Sequence, residues 1–337
     1  MRISILGAGA MGAALTIPYS EKNEVLLWGT EFDVPILEKL LRNEEHPRIN
    51  AKVRADRILM PEEIEEALNA DVIVLAISTE GVLSIFRRIS DLIKDQAIIS
   101  VTKGLAEING EVYTIPEALW NEREDLKERI AAITGPSIAR EVANKLPTHV
   151  VYSSVNSELL KTLKDSLETN YYRIKTSTDI IGCEMTSALK NVYSIAIAWI
   201  SGVESRRNVT LNNLKGILVT QTLREISEIV KAMGGDEKTP YDLSGIGDII
   251  ATFRGGRNGM LGELLGRGYS TEEALKELER RGVGVVEGYV NAKRAYKLVE
   301  NLDKKGKIRL EDLKLLNVIN SVLYEGMSVD EALDIVF

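Results

Sequence analysis

The chain has 337 residues, of which 45% are hydrophobic, so it is long enough for two domains and apolar enough for a large core. Its 42 Lys and Arg against 50 Asp and Glu give a net charge of -8, which argues against a broad nucleic-acid-binding surface. Cys183 is the single cysteine, which excludes an intramolecular disulfide. The chain has only two histidines, and its Cys and His residues form no cluster with the spacing of metal ligands. Because it has neither a leader-like start nor an apolar run near the roughly 20 residues that span a bilayer, we expect a cytoplasmic protein.

Short β-type runs alternate with helical patterns through the first half of the chain. The predicted strands cover residues 2–6, 24–28, 71–77, 97–101, 130–134, 149–153 and, more weakly, 171–175, and the intervening helical patterns include residues 61–69 and 82–93. The apolar residues of these strands are nearly continuous, as in strands that are buried on both faces. The alternation predicts an α/β domain over residues 1–178, built on a parallel sheet with right-handed crossovers.

The second half, residues 179–337, has amphipathic helical patterns and no strand-like runs. Two of its helices begin alike, at residues 268–275 and 326–333. In each, a serine (Ser270 or Ser328) precedes a glutamate by three residues, which predicts two capping boxes. We therefore expect an α/β domain followed by an all-α domain, with the ligand bound in a cleft between them.

A glycine-rich turn follows the first predicted strand. Gly7, Gly9 and Gly12 have the spacing G-x-G-x-x-G, which allows a tight turn, close approach of the backbone to a pyrophosphate, and close helix–strand packing. The phosphates of a dinucleotide would lie at the helix N-terminus. Glu31, just after the second strand, is placed to bind the ribose hydroxyls of NAD, although Thr30 and Glu31 are also compatible with NADP.

A polar stripe marks the first helix of the second half. Glu184, Ser187, Asn191 and Ser194 share one helical face, and Lys190 lies beside them. Two interpretations are open for this lysine. It is either buried at a cleft, where desolvation favours its neutral form and suits it to acid/base catalysis, or it extends to the surface.

Three further segments have compositions typical of binding sites. Lys103 and the segment 134–137 each follow a predicted strand, at the sheet edge that faces the ligand in open α/β folds. Ser137 is also placed to cap a helix over residues 138–143. The segment 245–259 combines glycines with Arg254 and Arg257, which suits it to hold a phosphate or carboxylate.

These motifs together resemble the NAD(P)-dependent glycerol-3-phosphate dehydrogenases, from about residue 3 to at least residue 288. In chain order they are the glycine turn, Lys103-Gly104, Gly135-Pro136-Ser137, Ala188-Leu189-Lys190-Asn191, residues 245–248, Arg257-Asn258 and Val286-Glu287-Gly288. The resemblance implies a Rossmann-type, doubly wound parallel sheet followed by an all-α C-terminal domain. It also implies a homodimer that catalyses reversible hydride transfer between dihydroxyacetone phosphate and sn-glycerol 3-phosphate, a precursor of glycerophospholipids. The implied cofactor is NAD or NADP.

The resemblance also implies individual roles. Lys190 matches the catalytic proton acceptor, and Lys103 and Asp248 are placed with it at the reacting centre. The implied substrate-binding residues are Lys103, Gly135, Ser137, Lys190, Asp248, Gly256, Arg257 and Asn258. The implied cofactor-binding residues are Gly7, Gly9, Ala10, Met11, Gly12, Thr30, Glu31, Lys103, Ala139, Arg257, Val285 and Glu287. No residue is assigned to a metal.

The chain departs from the usual pattern of bacterial members at three places. These members carry Ser and an aromatic residue where this chain has Ala10 and Met11, an Arg near Thr30, and often a Ser at position 256. The departures leave the choice between NAD and NADP open.

Two alternatives have different chemistry. A ketopantoate reductase or β-hydroxyacid dehydrogenase would use a similar lysine–asparagine site but would recognise a carboxylate, for which Arg257 is equally suited. A catalytically silent dinucleotide sensor would bind the cofactor without oxidising it. The intact set of Lys103, Lys190 and Asp248 argues against the sensor, because a sensor has no need of it.

Overall fold

The computed structural model describes residues 1–252 and 256–337, and the chain divides into two compact units. The first unit comprises Met1–Lys103 and Ile115–Ile180, and the second comprises Gly104–Thr114 and Ile181–Phe337. The sequence predicted a single break between residues 178 and 179. It did not anticipate that residues 104–114 leave the first unit and belong to the second.

The first unit is built on an eight-stranded sheet, and a separate two-stranded hairpin belongs to the second unit. In chain order the strands are β1 Arg2–Leu6, β2 Glu24–Trp28, β3 Arg57–Leu59, β4 Val72–Leu75, β5 Ala97–Ser100, β6 Leu105–Ile108, β7 Glu111–Thr114, β8 Ile130–Thr134, β9 Thr148–Ser153 and β10 Tyr172–Ser177. The order in the sheet is β10-β9-β8-β5-β4-β1-β2-β3. Six of these strands thus have the 3-2-1-4-5-6 order of a Rossmann fold, and the predicted fold class is confirmed.

One part of the sheet prediction was wrong. Strand β9 pairs with β8 in the antiparallel direction, and β10 then runs parallel to β9, so the sheet is not parallel throughout. An apolar strand pattern reports burial on both faces and carries no information about strand direction, which the tertiary pairing decides. The five predicted strands β1, β2, β4, β5 and β8 are parallel to one another as predicted, and β3, which the sequence did not predict, extends this parallel set beside β2.

Helices connect the strands of the first unit. They are α1 Ala10–Tyr19, α2 Val34–Leu41, α3 Ile64–Ala67, α4 Thr79–Ile89, α5 Ile115–Glu122, α6 Ala139–Ala143 and α7 Ser157–Leu167. Two predicted bounds were wrong. The segment 61–69 begins as a 3₁₀ turn, so α3 is short, and α4 begins three residues before the predicted start because Ser78 is already its extended N-cap.

The second unit is helical apart from its hairpin. Its helices are α8 Ile180–Arg207, α9 Asn212–Ala232, α10 Asp248–Thr252, α11 Arg257–Gly266, α12 Thr271–Arg280, α13 Glu287–Lys304, α14 Lys314–Tyr324 and α15 Val329–Val336. The long helix α8 is buried along most of its length and forms the centre of this core. Both predicted capping boxes, at Ser270 and Ser328, are confirmed. In the parts of the chain that are described, no helix is both long and apolar enough to cross a membrane.

Helix α13 holds the hairpin in the second unit. The Oδ1 atom of Asn291 accepts a hydrogen bond of 3.2 Å from the backbone N–H of Leu105. Lys305, the residue that follows the helix, pairs with Glu111 at 2.9 Å. Because Leu105 is two residues after Lys103, these contacts fix the chain immediately downstream of that lysine.

Candidate active site

The glycine-rich turn lies where strand β1 ends, beside the point at which the strand order reverses between β1 and β4. The backbone N–H of Gly7 donates to the carbonyl of Trp28 at 2.8 Å, and the φ of Gly7 is +117°. A Cβ atom at Gly7 would lie 2.4 Å from the carbonyl oxygen of Ala76. Only glycine fits this position, because it tolerates both the positive φ and the close backbone.

The other two glycines of the motif have different surroundings. A Cβ atom at Gly12 would lie 2.0 Å from the carbonyl oxygen of Gly7, whereas one at Gly9 would have no neighbour within 4 Å. Gly9 is the N-cap of α1 and provides no capping side chain, and the first turn of α1 holds no acidic residue. The first N–H groups of α1 are therefore available to an anion, and the turn fits a pyrophosphate.

Thr30 and Glu31 follow strand β2, as predicted, and both are engaged locally. The backbone N–H and the hydroxyl of Thr30 each donate to Asp33 at 2.9 Å. The exposed carboxylate of Glu31 accepts from Arg88 at 2.7 Å. Its own backbone N–H and then Arg88 lower the pKa of Glu31. The sequence did not single out Arg88, because its place beside Glu31 depends on how α4 packs.

Two more predicted residues lie at the same sheet edge. The ammonium group of Lys103, after β5, donates to the carbonyl of Gly135, after β8, at 3.1 Å. Ser137 contacts Met11, with 3.8 Å between Oγ and Sδ. The prediction that Ser137 caps the next helix was wrong. The backbone is still extended at Ile138, which is therefore the N-cap of α6, and Ala139 is the first helical residue.

The second unit contains a buried ion pair. The Nζ atom of Lys190 lies 2.8 Å from Oδ1 of Asp248, and the side chains are only 3% and 1% exposed. Of the two interpretations of Lys190, the surface position was wrong and the buried position is confirmed. Each charge stabilises the other at this depth, because removing one partner of such a buried pair typically lowers the free energy of unfolding by about 3–5 kcal/mol.

A local turn places Asp248 toward Lys190. Residues Leu243–Gly247 form a π-helical turn that leads directly into α10, which begins at Asp248. A Cβ atom at Gly245 would lie 2.0 Å from the carbonyl oxygen of Pro240, so the turn needs glycine there. One helical turn after Asp248, the hydroxyl of Thr252 donates to the Asp248 carbonyl at 2.6 Å and accepts from Lys190 at 3.4 Å.

The start of α11 is joined to α8 and α13 through one amide side chain. Asn258 donates to Oδ1 of Asn191 at 3.2 Å, and its own Oδ1 accepts from the backbone N–H of Gly288 at 2.9 Å. Since both ends of the amide are used, its orientation is fixed. A Cβ atom at Gly288 would lie 2.2 Å from the carbonyl oxygen of Asn191, so α13 approaches α8 very closely here.

A pocket of about 190 Å³ opens beside this contact. Its lining residues are Asn191, Ser194, Thr252, Gly256, Arg257, Asn258, Gly259 and Glu287. Arg257 is about half exposed and lies 3.3 Å from the carboxylate of Glu287. Val285 is exposed two residues before Glu287. The pocket thus combines a guanidinium group that is paired with a carboxylate, two amides, two hydroxyls and two glycines. The guanidinium group and the amides are donors that can hold a phosphate or carboxylate.

The structure groups the predicted residues by unit. The first unit holds the glycine turn, Thr30, Glu31, Lys103, Gly135, Ser137 and Ala139, and the second holds Lys190, Asp248, Gly256, Arg257, Asn258, Val285 and Glu287. Arg254 lies outside the described residues. The sequence missed Thr252 as a partner of Lys190, although its i+4 spacing from Asp248 places the two on one helical face. Within the described part of the chain, no group of three His, Cys, Asp or Glu side chains is arranged to hold a metal.

The chain matches two family profiles. The N-terminal and C-terminal profiles of NAD-dependent glycerol-3-phosphate dehydrogenase match residues 2–160 and 179–334. An "NADP(+)-dependent glycerol-3-phosphate dehydrogenase" of Archaeoglobus fulgidus is 52% identical over 99% of this chain and 98% of its own length. A "Glycerol-3-phosphate dehydrogenase [NAD(P)+]" of Fusobacterium nucleatum is 33% identical over 99% and 96%.

A solved structure shows the same fold over the whole chain. The crystal structure of glycerol-3-phosphate dehydrogenase from Coxiella burnetii has a TM-score of 0.82 and 27% identity, with 99% of this chain and 97% of that one covered. The resemblance seen in the sequence is therefore confirmed. The chain belongs to the NAD(P)-dependent glycerol-3-phosphate dehydrogenases, enzymes that interconvert dihydroxyacetone phosphate and sn-glycerol 3-phosphate by hydride transfer.

Proposed function

We propose that Lys190 is the acid/base group of this dehydrogenase and that Asp248 orients it. The observation that carries the proposal is their 2.8 Å ion pair, which is almost completely removed from solvent. A buried carboxylate at this distance holds the ammonium group in one position. A charged lysine at a fixed position is suited both to stabilise a developing oxyanion and to protonate it.

The proton path follows from that arrangement. The bound nicotinamide cofactor supplies the hydride for the carbonyl carbon of dihydroxyacetone phosphate. As negative charge grows on the carbonyl oxygen, Lys190 stabilises it and gives up one proton, which produces the C2 hydroxyl and leaves a neutral amine. Asp248 keeps that amine in place until it takes a proton again. In the direction of oxidation, the neutral amine accepts the hydroxyl proton.

The phosphate end of the substrate is assigned to the start of α11. Arg257 presents a guanidinium group at the 190 Å³ pocket, and Asn258 is fixed beside it through Asn191 and Gly288. The family motifs place Gly256 in the same segment. They also place Lys103, Gly135 and Ser137 with the substrate. For the cofactor they assign Gly7, Gly9, Ala10, Met11, Gly12, Thr30, Glu31, Lys103, Ala139, Arg257, Val285 and Glu287.

For the cofactor we propose a preference for NADP(H). The carboxylate of Glu31 is already bound by Arg88 at 2.7 Å, so it is less available to accept from the ribose hydroxyls of NAD. The same guanidinium offsets a negative charge that would repel a 2′-phosphate. The 52% identical relative from Archaeoglobus fulgidus is named as an NADP(+)-dependent enzyme, which favours the same choice.

The physiological setting is proposed from family membership. We infer that the enzyme is a cytoplasmic homodimer that supplies sn-glycerol 3-phosphate for glycerophospholipid synthesis. Size-exclusion chromatography with light scattering tests the dimer.

A substrate and cofactor panel tests the proposed reaction. Purified enzyme is mixed with dihydroxyacetone phosphate or ketopantoate, each with NADPH or NADH, and oxidation of the cofactor is followed by its absorbance. We expect oxidation with dihydroxyacetone phosphate, faster with NADPH than with NADH at equal low concentrations. Arg88→Ala should narrow that difference, whereas Arg87→Ala, a matched change at the neighbouring residue that pairs with Glu122, should not.

The remaining outcomes distinguish the alternatives. Oxidation with ketopantoate alone would identify a carboxylate-recognising reductase. Cofactor binding without oxidation of any ketone would identify a sensor. A clear preference for NADH in the unmodified enzyme would overturn the cofactor assignment and leave the reaction intact.

A further inference from the structure

His46 lies in the first unit, in the segment between α2 and β3, and is completely buried. Its backbone closes a compact turn: its N–H donates to the Ala51 carbonyl at 2.9 Å, and its own carbonyl accepts from Asn50 at 2.9 Å. The same segment is attached to α1, because the backbone N–H of Arg54 donates to the hydroxyl of Thr16 at 2.9 Å. The turn that carries the imidazole is thus attached to α1 through the residues that follow it.

The imidazole contacts the glycine turn directly. Its Nε2 atom lies 2.9 Å from the carbonyl oxygen of Ala8, the residue between Gly7 and Gly9. The backbone N–H of Arg48 lies 3.2 Å from its Nδ1 atom. A backbone N–H can only donate, so Nδ1 accepts and the proton of the neutral ring is on Nε2. The ring therefore donates to Ala8 in this one tautomer.

We propose that His46 is a positioning residue for cofactor binding, which it serves by holding the carbonyl of Ala8 and so fixing the phosphate-binding turn. The inference rests on the proposed function of that turn. Residues 7–9 of the turn carry no side chain larger than the methyl group of Ala8 with which to brace the backbone, and a Cβ atom at Gly9 would have no neighbour within 4 Å. An ordered turn loses less conformational entropy when the pyrophosphate binds, so bracing the turn increases the affinity for the cofactor.

The arrangement requires a neutral ring. Burial lowers the pKa of His46 from its ordinary value, Arg48 lowers it further, and Asp33 and the bond to Ala8 raise it in part. Protonation of Nδ1 would set an N–H against the N–H of Arg48 and break that contact. The stability that the neutral ring contributes is present above the ordinary pKa of 6.5 and is lost as the pH falls through the lowered pKa.

The test uses three variants and measures binding without turnover. His46→Leu removes the donor and keeps an apolar side chain of similar size, and His46→Gln keeps an N–H donor. His149→Gln is the matched control, because His149 is the other histidine and is exposed on β9. The dissociation constant of NADPH is measured by its fluorescence between pH 5.5 and 8, and circular dichroism confirms that each variant is folded.

We expect His46→Leu to weaken NADPH binding about tenfold at pH 8, as for an unsatisfied backbone carbonyl, with kcat at saturating cofactor nearly unchanged. His46→Gln should bind within about threefold of the unmodified enzyme. The unmodified enzyme should lose affinity at low pH by more than His46→Gln does. This comparison cancels titration of the cofactor's own phosphate, which is common to both.

Three results would overturn the inference. One is unchanged NADPH affinity in a folded His46→Leu variant, and another is equal loss in the Leu and Gln variants. The third is tighter binding of NADPH by the unmodified enzyme at low pH relative to His46→Gln, which would mean that a charged ring attracts the phosphates directly. If the unmodified enzyme fails to bind NADPH at all, the proposed function fails instead.

Discussion

The two regions that the family motifs assign to ligands are built in different ways. The turn proposed to bind the cofactor phosphates is formed by six consecutive residues, 7–12, and offers backbone N–H groups and the open space at Gly9. The ion pair of Lys190 and Asp248 is made of two charged side chains from segments 58 residues apart, and it is buried in a helical core. The turn is therefore sensitive to one added methyl group, whereas the ion pair is sensitive to one lost charge.

This difference decides how a substitution should act in each region. A change in the turn should alter cofactor affinity and leave the chemical step alone. A change in the ion pair should alter the chemical step and leave cofactor affinity alone. Substitutions in the two regions test whether cofactor affinity and the chemical step are separable, beginning with the largest expected effect.

Removal of the lysine should have the largest effect. We expect Lys190→Met to lower kcat by about 10³-fold or more, as for loss of a general acid that also stabilises charge. The dissociation constant of NADPH, measured by fluorescence, should change by less than about threefold because the glycine turn is untouched.

Lys190→Met also leaves the buried carboxylate of Asp248 without its lysine, which requires a separate control. Removing one partner of a buried pair is strongly destabilising, so Lys190→Met alone should unfold more easily than the double variant Lys190→Met/Asp248→Asn. Both should be inactive. If either retains more than about a tenth of the normal kcat, a range that general acid catalysis does not allow, Lys190 is not the acid/base group.

Adding a methyl group in the turn is the complementary test. Gly12→Ala places a Cβ atom 2.0 Å from the Gly7 carbonyl oxygen, whereas the Cβ atom of Gly9→Ala has open space around it. We expect Gly9→Ala to keep its melting temperature and to lose about tenfold to a hundredfold in NADPH affinity, because the methyl group occupies the path of the pyrophosphate. Gly12→Ala should lower both the melting temperature and the affinity for NADPH.

A Gly9→Ala variant that binds NADPH normally would contradict the placement of the pyrophosphate at this turn. Gly216→Ala is a suitable control, because a Cβ atom at Gly216 in helix α9 also has no neighbour within 4 Å. It should change neither NADPH affinity nor turnover.

The same contrast explains what the sequence could predict. The glycine turn, strands β1 and β2 and the capping boxes at Ser270 and Ser328 are encoded within a few residues, and all of them are confirmed. The direction of β9, the pairing of Glu31 with Arg88 and the contact of His46 with Ala8 depend on segments distant in the chain. A single sequence carries no direct record of such contacts.

One missed element did have a local signal. The hairpin of β6 and β7 turns at Asn109-Gly110, with φ angles of +51° and +87°, and Asn-Gly is the most common sequence of such two-residue turns. The hairpin was therefore predictable. Its membership of the helical unit was not, because that depends on contacts with α13 nearly 190 residues later.

A second buried carboxylate of the helical unit should affect stability rather than turnover. Glu225 on α9 accepts from Tyr193 at 2.9 Å and from the backbone N–H groups of Leu315 and Leu316 at 2.7 and 2.9 Å, so it caps the start of α14. Glu225→Gln places an N–H among these donors. We expect it to lower the free energy of unfolding by about 1–3 kcal/mol in urea titrations, with kcat of the folded enzyme unchanged.

The pH dependence of this effect has a defined sign. Burial raises the pKa of Glu225, and its hydrogen bonds lower it only in part. The contribution of a group with a raised pKa is present below its unfolded-state pKa and is lost as the pH rises through the folded-state value. The stability difference between the unmodified enzyme and Glu225→Gln should therefore narrow as the pH rises. A difference that widens would contradict this assignment.

The smallest effect is expected from a change at Thr252, which contacts Lys190. Thr252 accepts from Lys190 at 3.4 Å, a longer contact than the 2.8 Å to Asp248, so it adds little to the orientation of the ammonium group. Thr252→Val keeps the shape and removes the hydroxyl, and we expect kcat to fall about twofold to fivefold with NADPH affinity unchanged. Thr252→Ser, which retains the hydroxyl, should recover most of that loss. If Thr252→Val instead lowers kcat as much as Lys190→Met does, the hydroxyl takes part in the proton transfer, and the chemistry of this unit depends on three side chains rather than on the ion pair alone.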